Sequence, residues 1–223
     1  HVVRRLSGGG AVYHDHGNLN FSFINPNGRE FLHNFKKFTA PVVKVLNNMG
    51  VPAEMNGRND IVVEERKISG NAQYAIGTKL VSHGTLLFNS ELSTVSEALN
   101  VKTEKIESKG IKSVRSRVAN ISEFLSNPPD ILQFRQQVLE GIFKGAKVIP
   151  QVELTPADWQ AVEQLAQSRY RSWEWNYGAS PAFNLKRETR YAGGGIEALL
   201  MVEKGILESV KFYGDFFSQR DVS

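Results

Sequence analysis

The stretch RRLSGGGAVYHD, residues 4–15, combines two adjacent arginines, three consecutive glycines and a His-Asp pair. Glycine adopts backbone angles that are closed to other residues, so the N–H groups of such a turn can converge on phosphate or carboxylate oxygens without a Cβ atom in the way. Arg5, or Arg4, adds a guanidinium that binds such oxygens in pairs. The stretch therefore predicts an anion-binding loop, although a glycine triplet taken alone is also typical of a plain structural turn.

Further motifs follow along the chain. Residues 57–60 read GRND, residues 67–72 read KISGNA, residues 83–87 read HGTLL, and residues 109–118 read KGIKSVRSRV. Taken in this order with RRLSGGGAVYHD, the motifs resemble the signature blocks of the lipoate–protein ligase family. The resemblance is to the lipoate-protein ligase A type, which is part of the biotin and lipoate ligase superfamily. The resemblance covers nearly the whole chain.

The composition limits the classes of protein to which the chain can belong. With 223 residues, of which 41% are hydrophobic, it is long enough for one sizeable core. It has no cysteine, which excludes disulfides, thiolate metal sites and a cysteine nucleophile, and which fits a reducing compartment. A formal charge of +4 and the absence of a long apolar run predict a soluble, cytoplasmic protein that binds neither nucleic acid nor membrane.

Strands are predicted where apolar and polar residues alternate or where β-branched residues cluster. Four such runs lie in the first half of the chain, at residues 2–3, 19–24, 61–63 and 84–88. The first run is expected to enter the glycine loop, which would then connect two strands. Gly70 and Gly77 interrupt the connection between the last two runs, so Lys67 is expected in or beside a hairpin.

Three helices are predicted from apolar residues at spacings of three and four. In residues 31–49 the pattern ends at Gly50, a glycine typical of a helix C-terminus, and Pro41 is expected to kink or split the helix. Asp130 precedes a second helix, and Thr155 with the proline after it begins a third. Both are expected to place their apolar residues in the core; for the third helix these residues are Trp159, Val162 and Leu165.

The resemblance implies a fold and a domain organisation. Residues 1–187 are expected to form an α+β catalytic domain, with a mixed or antiparallel sheet and flanking helices, similar to class II aminoacyl-tRNA synthetases and biotin ligases. Residues 188–223, with β-rich runs at 196–202 and 206–212, are expected to begin a small C-terminal accessory domain, of which only the first hairpin would fit. Because family members carry a further stretch before the arginine–glycine block, the N-terminal part of the catalytic domain is expected to lie outside this sequence.

The resemblance also implies an activity. Lipoate and ATP, with Mg²⁺, would give lipoyl-adenylate, and a lysine of a lipoyl carrier domain would then take the lipoyl group as an amide. The implied carriers are the E2 subunits of 2-oxoacid dehydrogenases and the H protein of glycine cleavage. Lys67 is the implied catalytic residue, which contacts the α-phosphate and an acyl oxygen opposite the glycine turn. The implied nucleotide contacts are Arg5, Gly10, Ala11, Val12, Tyr13 and Lys67.

Other polar residues complete the predicted site. Asp60 is expected to position Lys67 or to help hold Mg²⁺, an ion that prefers carboxylate and phosphate oxygens. Asn59 is expected to contact the nucleotide together with Asp60, although an Asn-Asp pair is also typical of a turn that it caps. His83 is expected to line the acyl pocket and His14 to orient the glycine loop, or each is a structural histidine. The spacing of the histidines does not match a zinc motif.

The most basic stretch of the chain lies between Lys102 and Arg117. Without the resemblance it is typical of a solvated face. With it, residues 113–117 are expected to close over the adenylate or to meet an acidic carrier domain.

Two other functions are compatible with the sequence. A lipoyl- or octanoyltransferase of the same fold would accept a pre-activated acyl donor and perform only the second step, although related acyltransferases use a cysteine, which this chain lacks. A non-catalytic module would keep the fold and bind the carrier domain without turnover.

Overall fold

The computed structural model describes residues 1–26, 31–57, 59–99, 117–178, 181–191 and 194–214. The chain divides into two compact units. The larger unit is Ala11–Ile149, and the smaller unit combines His1–Gly10 with Pro150–Ser223. Antiparallel sheets and helices confirm the predicted α+β class. Within the described ranges, no helix has the length and apolar character that crossing a membrane requires.

Among its described residues, the larger unit has a sheet of five antiparallel strands, in the order β1-β5-β4-β3-β2. Their bounds are β1 Asn18–Pro26, β2 Glu54–Asn56, β3 Asp60–Val63, β4 Arg66–Ile76 and β5 Lys79–Leu87. Glu64 and Glu65 join β3 to β4 and both have positive φ, a geometry typical of two-residue hairpin turns. The hairpin predicted at Lys67 is therefore confirmed, because this residue is the second of β4.

The described residues of the larger unit form three α-helices, in addition to a 3-10 turn at Ile121–Phe124. They are α1 Phe35–Asn48, α2 Leu92–Leu99 and α3 Ile131–Ile142. The predicted start of α3 is confirmed, since the Asp130 side chain accepts a hydrogen bond from the Gln133 N–H group at 2.8 Å and caps the helix.

Helix α1 differs from its prediction at two points. It begins at Phe35 rather than at residue 31, because the Asn34 side chain accepts a hydrogen bond from the Lys37 N–H group and caps the helix there. It also runs through Pro41 without interruption, so the predicted split does not occur. The residues around the proline are held against the core by buried side chains, such as Val42.

The core of the larger unit lies between one face of the sheet and the helices α1 and α3. Phe134 of α3 is fully buried and stacks on Phe88, with 4.2 Å between the ring centroids. Burial of an aromatic side chain of this kind contributes roughly 1.5–3 kcal/mol. Other members of the core come from α1, β3, β4 and β5, and include Val42, Val45, Leu46, Ile61, Ile68 and Leu86.

Alternation along β5 separates the core face of the sheet from a second face, which we call the open face. The even-numbered residues of 80–86 are buried in the core face, whereas His83 between them is half-buried on the open face. Gly84 lies in the core face between Phe21 of β1 and Asn71 of β4, its register partners. A Cβ atom at Gly84 would overlap Asn71 Oδ1 and lie 2.6 Å from Phe21 Cζ, so this position requires glycine.

In the part of the smaller unit that the structure describes, there are one α-helix and a three-stranded antiparallel sheet. Helix α4 spans Pro156–Leu165 and is followed by two π-helical turns, Ala166–Tyr170 and Glu174–Gly178. The strands β6 Leu185–Tyr191, β7 Gly194–Glu203 and β8 Ile206–Gly214 pair in this order. Strands β7 and β8 were predicted, whereas β6 was missed because its residues are mostly charged and exposed. The domain boundary at residue 187 lies within β6 and stays a prediction.

Two expectations for the smaller unit are wrong. Residues 2–3 form no strand, and both valines are exposed, so the glycine loop is not entered from a strand. Helix α4 has its predicted Thr155 cap, but its apolar side chains do not lie in a core. The exposed fractions are 60% for Trp159, 47% for Val162 and 50% for Leu165. Spacing predicts a helix, whereas burial depends on what packs against the helix.

Gly84→Ala is expected to lower the free energy of unfolding by about 1–3 kcal/mol, because the added methyl group must displace Phe21 and Asn71 inside a packed sheet. Denaturation in guanidinium chloride, followed by circular dichroism, measures the change. Gly10→Ala is the control, since a Cβ atom at that position has no neighbour within 4 Å. Equal stabilities of the two variants would contradict the packing described for Gly84.

Candidate functional site

The glycine loop of the smaller unit is organised by Arg5. Its guanidinium donates from Nε to Ser7 Oγ at 3.1 Å, and from Nη2 to the carbonyl oxygens of Gly8 at 2.9 Å and Gly10 at 2.7 Å. Gly9 has a φ of 102°, and a Cβ atom there would lie 3.0 Å from Arg5 Nη2. The middle position of the triplet therefore requires glycine, because the loop closes around the guanidinium.

The bonds to Arg5 determine where the N–H groups of the loop point. In a trans peptide, the C=O group of one residue and the N–H group of the next point in opposite directions. No cis peptide occurs among the described residues. Since the carbonyl groups of Gly8 and Gly10 point at Arg5, the N–H groups of Gly9 and Ala11 point away from it. Backbone N–H groups arranged in this way suit an anion.

The two adjacent arginines have different contacts. Partial burial lowers the pKa of the Arg5 guanidinium, yet an arginine stays charged at neutral pH. Its bonds to the loop involve Nε and Nη2 and not Nη1, which carries two further donors. Arg4 instead donates to the carbonyl oxygens of Trp175 at 3.0 Å and Asn176 at 3.3 Å. Of the two arginines, Arg5 is therefore the one that shapes the glycine loop.

The residues after the triplet, which belong to the larger unit, are anchored by Asp15. Its Oδ1 accepts a hydrogen bond from the Gly17 N–H group at 2.9 Å, and its Oδ2 accepts one from the Glu91 N–H group, next to α2, at 2.8 Å. His14 Nδ1 lies 3.0 Å from Asn18 Nδ2 at the start of β1. The carboxylate of Asp15 thus ties this segment to two other parts of the unit.

Lys67 and Asp60 form an ion pair, with 2.8 Å between Nζ and Oδ1. The side chains are 41% and 37% exposed, so the pair lies at the border of solvent. Exposed pairs contribute only about 0–1 kcal/mol to stability. The main physical effect of this pair is therefore on the position of the Lys67 amine.

The backbone of Lys67 is held from both sides. It pairs with Val62 of β3 on one side. On the other side its N–H group donates to the Arg117 carbonyl at 2.7 Å, and its carbonyl accepts from the Ala119 N–H group at 3.0 Å, in a parallel bridge with Val118. Residues 117–118 are the last two of the KGIKSVRSRV motif. Two separate motifs of the sequence thus meet at this lysine.

An irregularity in β4 decides the direction of the Lys67 side chain. The register of β3 and β4 shifts between Ile61 and Val62, and β4 accommodates one extra residue, Ile68. In a regular strand Lys67 and Gly70, three residues apart, would point to opposite faces. With the extra residue they share a face, since a Cβ atom at Gly70 would lie 3.0 Å from Lys67 Nζ.

The register places three predicted site residues on the open face. Asp60 is the partner of Gly70, and Ala72 is the partner of His83. Direct partners in an antiparallel pair point to the same face, as do residues two apart in one strand. Lys67, Asp60 and His83 are therefore brought to the same side of the sheet, the side away from α1 and α3.

Asn59 is held by a reciprocal pair of hydrogen bonds. Its Nδ2 donates to the Asn71 carbonyl at 2.6 Å, and Asn71 Nδ2 donates to the Asn59 carbonyl at 2.9 Å. Asn71 is buried, and Gly84 leaves the room that its Oδ1 occupies. These bonds hold the start of β3, where Asp60 lies.

Some predicted residues lie outside the described part of the chain. They are Arg58 of the GRND motif and residues 100–116, which contain most of the basic stretch and of the KGIKSVRSRV motif. Among the residues that are described, no group of three or more His, Asp or Glu side chains is arranged to hold a metal ion.

Sequence reasoning missed several glycines and one contact pair. The sequence does contain a signal for the close contacts at Gly70 and Gly84, since a glycine inside a strand often marks a place where another group lies close to the backbone. Gly17 has the same role, because a Cβ atom there would overlap the Asn89 carbonyl group. The contact between Arg4 and residues 175–176 has no local signal, because the partners are more than 170 residues apart.

Comparison with known proteins defines the family. A family model described as "Lipoyl protein ligase A/B catalytic domain" matches residues 1–143, and one described as "Bacterial lipoate protein ligase C-terminus" matches residues 180–223. The chain is 56% identical over 224 residues to lipoate-protein ligase LplJ of Bacillus subtilis (strain 168), covering 100% of this chain and 68% of that protein. The chain belongs to the lipoate–protein ligase family of enzymes, as its motifs predict.

Solved structures of ligases share the fold. The chain matches Plasmodium falciparum LipL1, in complex with lipoate, at a TM-score of 0.69 and 26% identity, over 96% of this chain and 62% of that chain. It also matches a bipartite ligase from Thermoplasma acidophilum, described with its E2 lipoyl domain. The TM-score is 0.68 and the sequence identity 29%, over 82% of this chain and 73% of that chain. A third match is a lipoate-protein ligase A bound with ATP. The TM-score is 0.65 and the sequence identity 27%, over 80% of this chain and 72% of that chain.

Gly70→Ala is expected to move the Lys67 amine without unfolding the protein. The added methyl group would meet Nζ at 3.0 Å and Cε at 3.1 Å, and both atoms are at the mobile end of a long side chain. We expect the free energy of unfolding to change by less than about 1 kcal/mol. A crystal structure of the variant measures the separation between Lys67 Nζ and Asp60 Oδ1. A separation unchanged from 2.8 Å would show that Gly70 does not direct the lysine.

Proposed function

We propose that the protein is an ATP-dependent lipoate–protein ligase that acts in two steps. In the first, a carboxylate oxygen of lipoate attacks the α-phosphorus of ATP, pyrophosphate leaves, and lipoyl-adenylate forms. In the second, the ε-amine of a carrier lysine attacks the acyl carbon, AMP leaves, and the nitrogen loses a proton to give an amide. Membership of the family supports this reaction, as do the solved relatives bound to lipoate and to ATP.

The observation that carries the proposal is the fixed amine of Lys67. Its backbone is hydrogen-bonded to Arg117 and Ala119 and lies opposite Val62 of β3, its side chain lies over Gly70, and its Nζ is 2.8 Å from Asp60 Oδ1. A cation fixed in advance stabilises developing negative charge without reorganisation during the reaction, which is usually the largest catalytic term. We assign Lys67 to the α-phosphate and to the acyl carboxyl or carbonyl oxygen.

We assign the glycine loop to the phosphates of the nucleotide. The outward direction of the N–H groups of Gly9 and Ala11 supports this role, as does Nη1 of Arg5, which does not take part in the bonds to the loop. Phosphate binding by successive backbone N–H groups needs this kind of geometry. The proposed nucleotide contacts are Arg5, Gly10, Ala11, Val12, Tyr13 and, as a further candidate, Asn59.

Asp60 is the proposed protein ligand of Mg²⁺. Its Oδ1 pairs with Lys67, and its Oδ2 is not part of that pair. Magnesium in nucleotide sites is commonly held by one or two carboxylates together with phosphate oxygens and water, a donor set that suits a single aspartate. When bound, the ion would offset the negative charge of the phosphates.

The acyl chain is proposed to lie along the open face of the sheet. Lys67, Ala72 and His83 share that face, so a carboxylate held by Lys67 would have its chain close to the other two. The protein partner is proposed to be a lipoyl carrier domain, such as that of an E2 subunit or the H protein. The solved Thermoplasma acidophilum ligase, which is described with its E2 lipoyl domain, supports this class of partner.

Lys67→Ala is expected to reduce lipoate-dependent exchange of pyrophosphate into ATP by at least about 100-fold, because it removes the charge that stabilises the first transition state. Lys79→Ala is the control, since Lys79 is an exposed lysine at the far end of the same sheet, and we expect its exchange rate to stay within about twofold. Similar rates for the two variants would contradict the role of Lys67.

The unmutated protein distinguishes this function from its alternatives. Lipoate-dependent exchange supports the ligase. Absence of exchange, together with transfer from supplied lipoyl-adenylate to a carrier domain, would identify a transferase. Binding of the carrier domain without either reaction would identify a non-catalytic module.

A further inference from the structure

The residue directly before Arg5 is held by the side chains of a distant turn. Within the smaller unit, Asn176 Oδ1 accepts a hydrogen bond from the Arg4 N–H group at 2.8 Å, and Trp175 Nε1 donates to the Arg4 carbonyl at 2.9 Å. The Arg4 guanidinium also donates to the carbonyl oxygens of the same two residues. Both backbone polar groups of Arg4, and its side chain, are therefore bound to residues 175–176.

The amide of Asn176 is oriented by residues that come just before its own π-helical turn. Its Nδ2 donates to the Tyr170 carbonyl at 2.9 Å and to the Ser172 carbonyl at 3.0 Å. A reversed amide would place an oxygen against two carbonyl oxygens, which is unfavourable, so Oδ1 has to face Arg4. The asparagine thus links the π-helical turn to the chain that enters the glycine loop.

The indole of Trp175 is also held in place. Its ring makes an edge contact with Tyr170, with 5.2 Å between centroids, and the Arg169 guanidinium lies 4.5 Å from the indole centroid. Contacts of this type add to the burial of an aromatic side chain and restrict its rotation. The Nε1 donor that bonds Arg4 therefore has a defined position.

We propose that Asn176 and Trp175 are positioning residues that hold the Arg5 loop in the form that accepts nucleotide phosphates. Arg5 follows Arg4 directly, and its guanidinium must reach Ser7 and two glycine carbonyls at the same time. A shift of Arg4 would move the Arg5 backbone and loosen these three bonds. The inference rests on the proposed function, since it assumes that the loop binds a nucleotide.

Asn176→Asp tests the inference, because it keeps the oxygen that faces Arg4 but replaces the amide donor with an oxygen facing two carbonyl groups. We expect the KM for ATP in the exchange reaction to rise by about tenfold, the effect of losing one or two net hydrogen bonds. The KM for lipoate should stay within about twofold. Trp175→Phe keeps an aromatic ring and removes only the N–H donor, and should raise the KM for ATP by about threefold.

Asn184→Asp is the matched control. Asn184 belongs to the same unit and uses its amide in a similar way, donating from Nδ2 to the Val202 carbonyl at 2.6 Å and accepting from the Val202 N–H group at 3.0 Å. Its hydrogen bonds are to Val202 of strand β7 and not to Arg4. An equal rise in the KM for ATP in this variant would mean general loosening of the unit and would overturn the inference.

Hydrogen exchange of the Arg4 amide, which donates to Asn176 Oδ1, gives a second measurement in the ligand-free protein that does not depend on activity. Asn176→Asp should speed exchange of this amide by about tenfold relative to Asn184→Asp, because the turn no longer holds Arg4 firmly. Unchanged exchange in Asn176→Asp would overturn the inference even if activity fell. Failure of the proposed function is a separate result, since it appears in the unmutated protein as an absence of lipoate-dependent exchange.

Discussion

The extra residue in β4 is the constraint on which the candidate site of the larger unit depends. Ile68 is buried, and its insertion lets the residue before it point to the open face, where the backbone of Gly70 leaves room for the Lys67 side chain. The segment 117–119 bonds the same lysine from the other side. Without the extra residue, Lys67 and Gly70 would point to opposite faces, and the lysine would not share a face with His83, because side chains alternate along a strand.

Glycines serve two different physical purposes in the motifs. Gly9 adopts a left-handed conformation as the loop closes around Arg5. Gly70 provides space for the Lys67 side chain, and Gly84 provides space for the buried Asn71 side chain, which in turn holds the backbone before Asp60. The glycine of HGTLL therefore supports the ion pair through packing, although it touches neither charged residue.

Local patterns predicted much of the larger unit. The alternation of residues 19–24 and the polar cap at Asp130 give correct elements because strand pleating and helix capping depend on neighbours in sequence. Local patterns gave wrong predictions where the structure of a segment depends on residues that are distant in sequence. Residues 2–3 form no strand, the charged β6 pairs with β7, and the apolar stripe of α4 remains half exposed.

The sequence by itself determined the family, the α+β class and the chemical types present: an arginine beside a glycine triplet, a lysine, an aspartate and no thiol. The tertiary structure alone decided how these groups are used. It assigned Arg5 to the loop and Arg4 to residues 175–176, and it paired Lys67 with Asp60. Residue types are a property of the chain, whereas a direction in space follows from strand register and from hydrogen bonds between distant residues, which a local pattern does not contain.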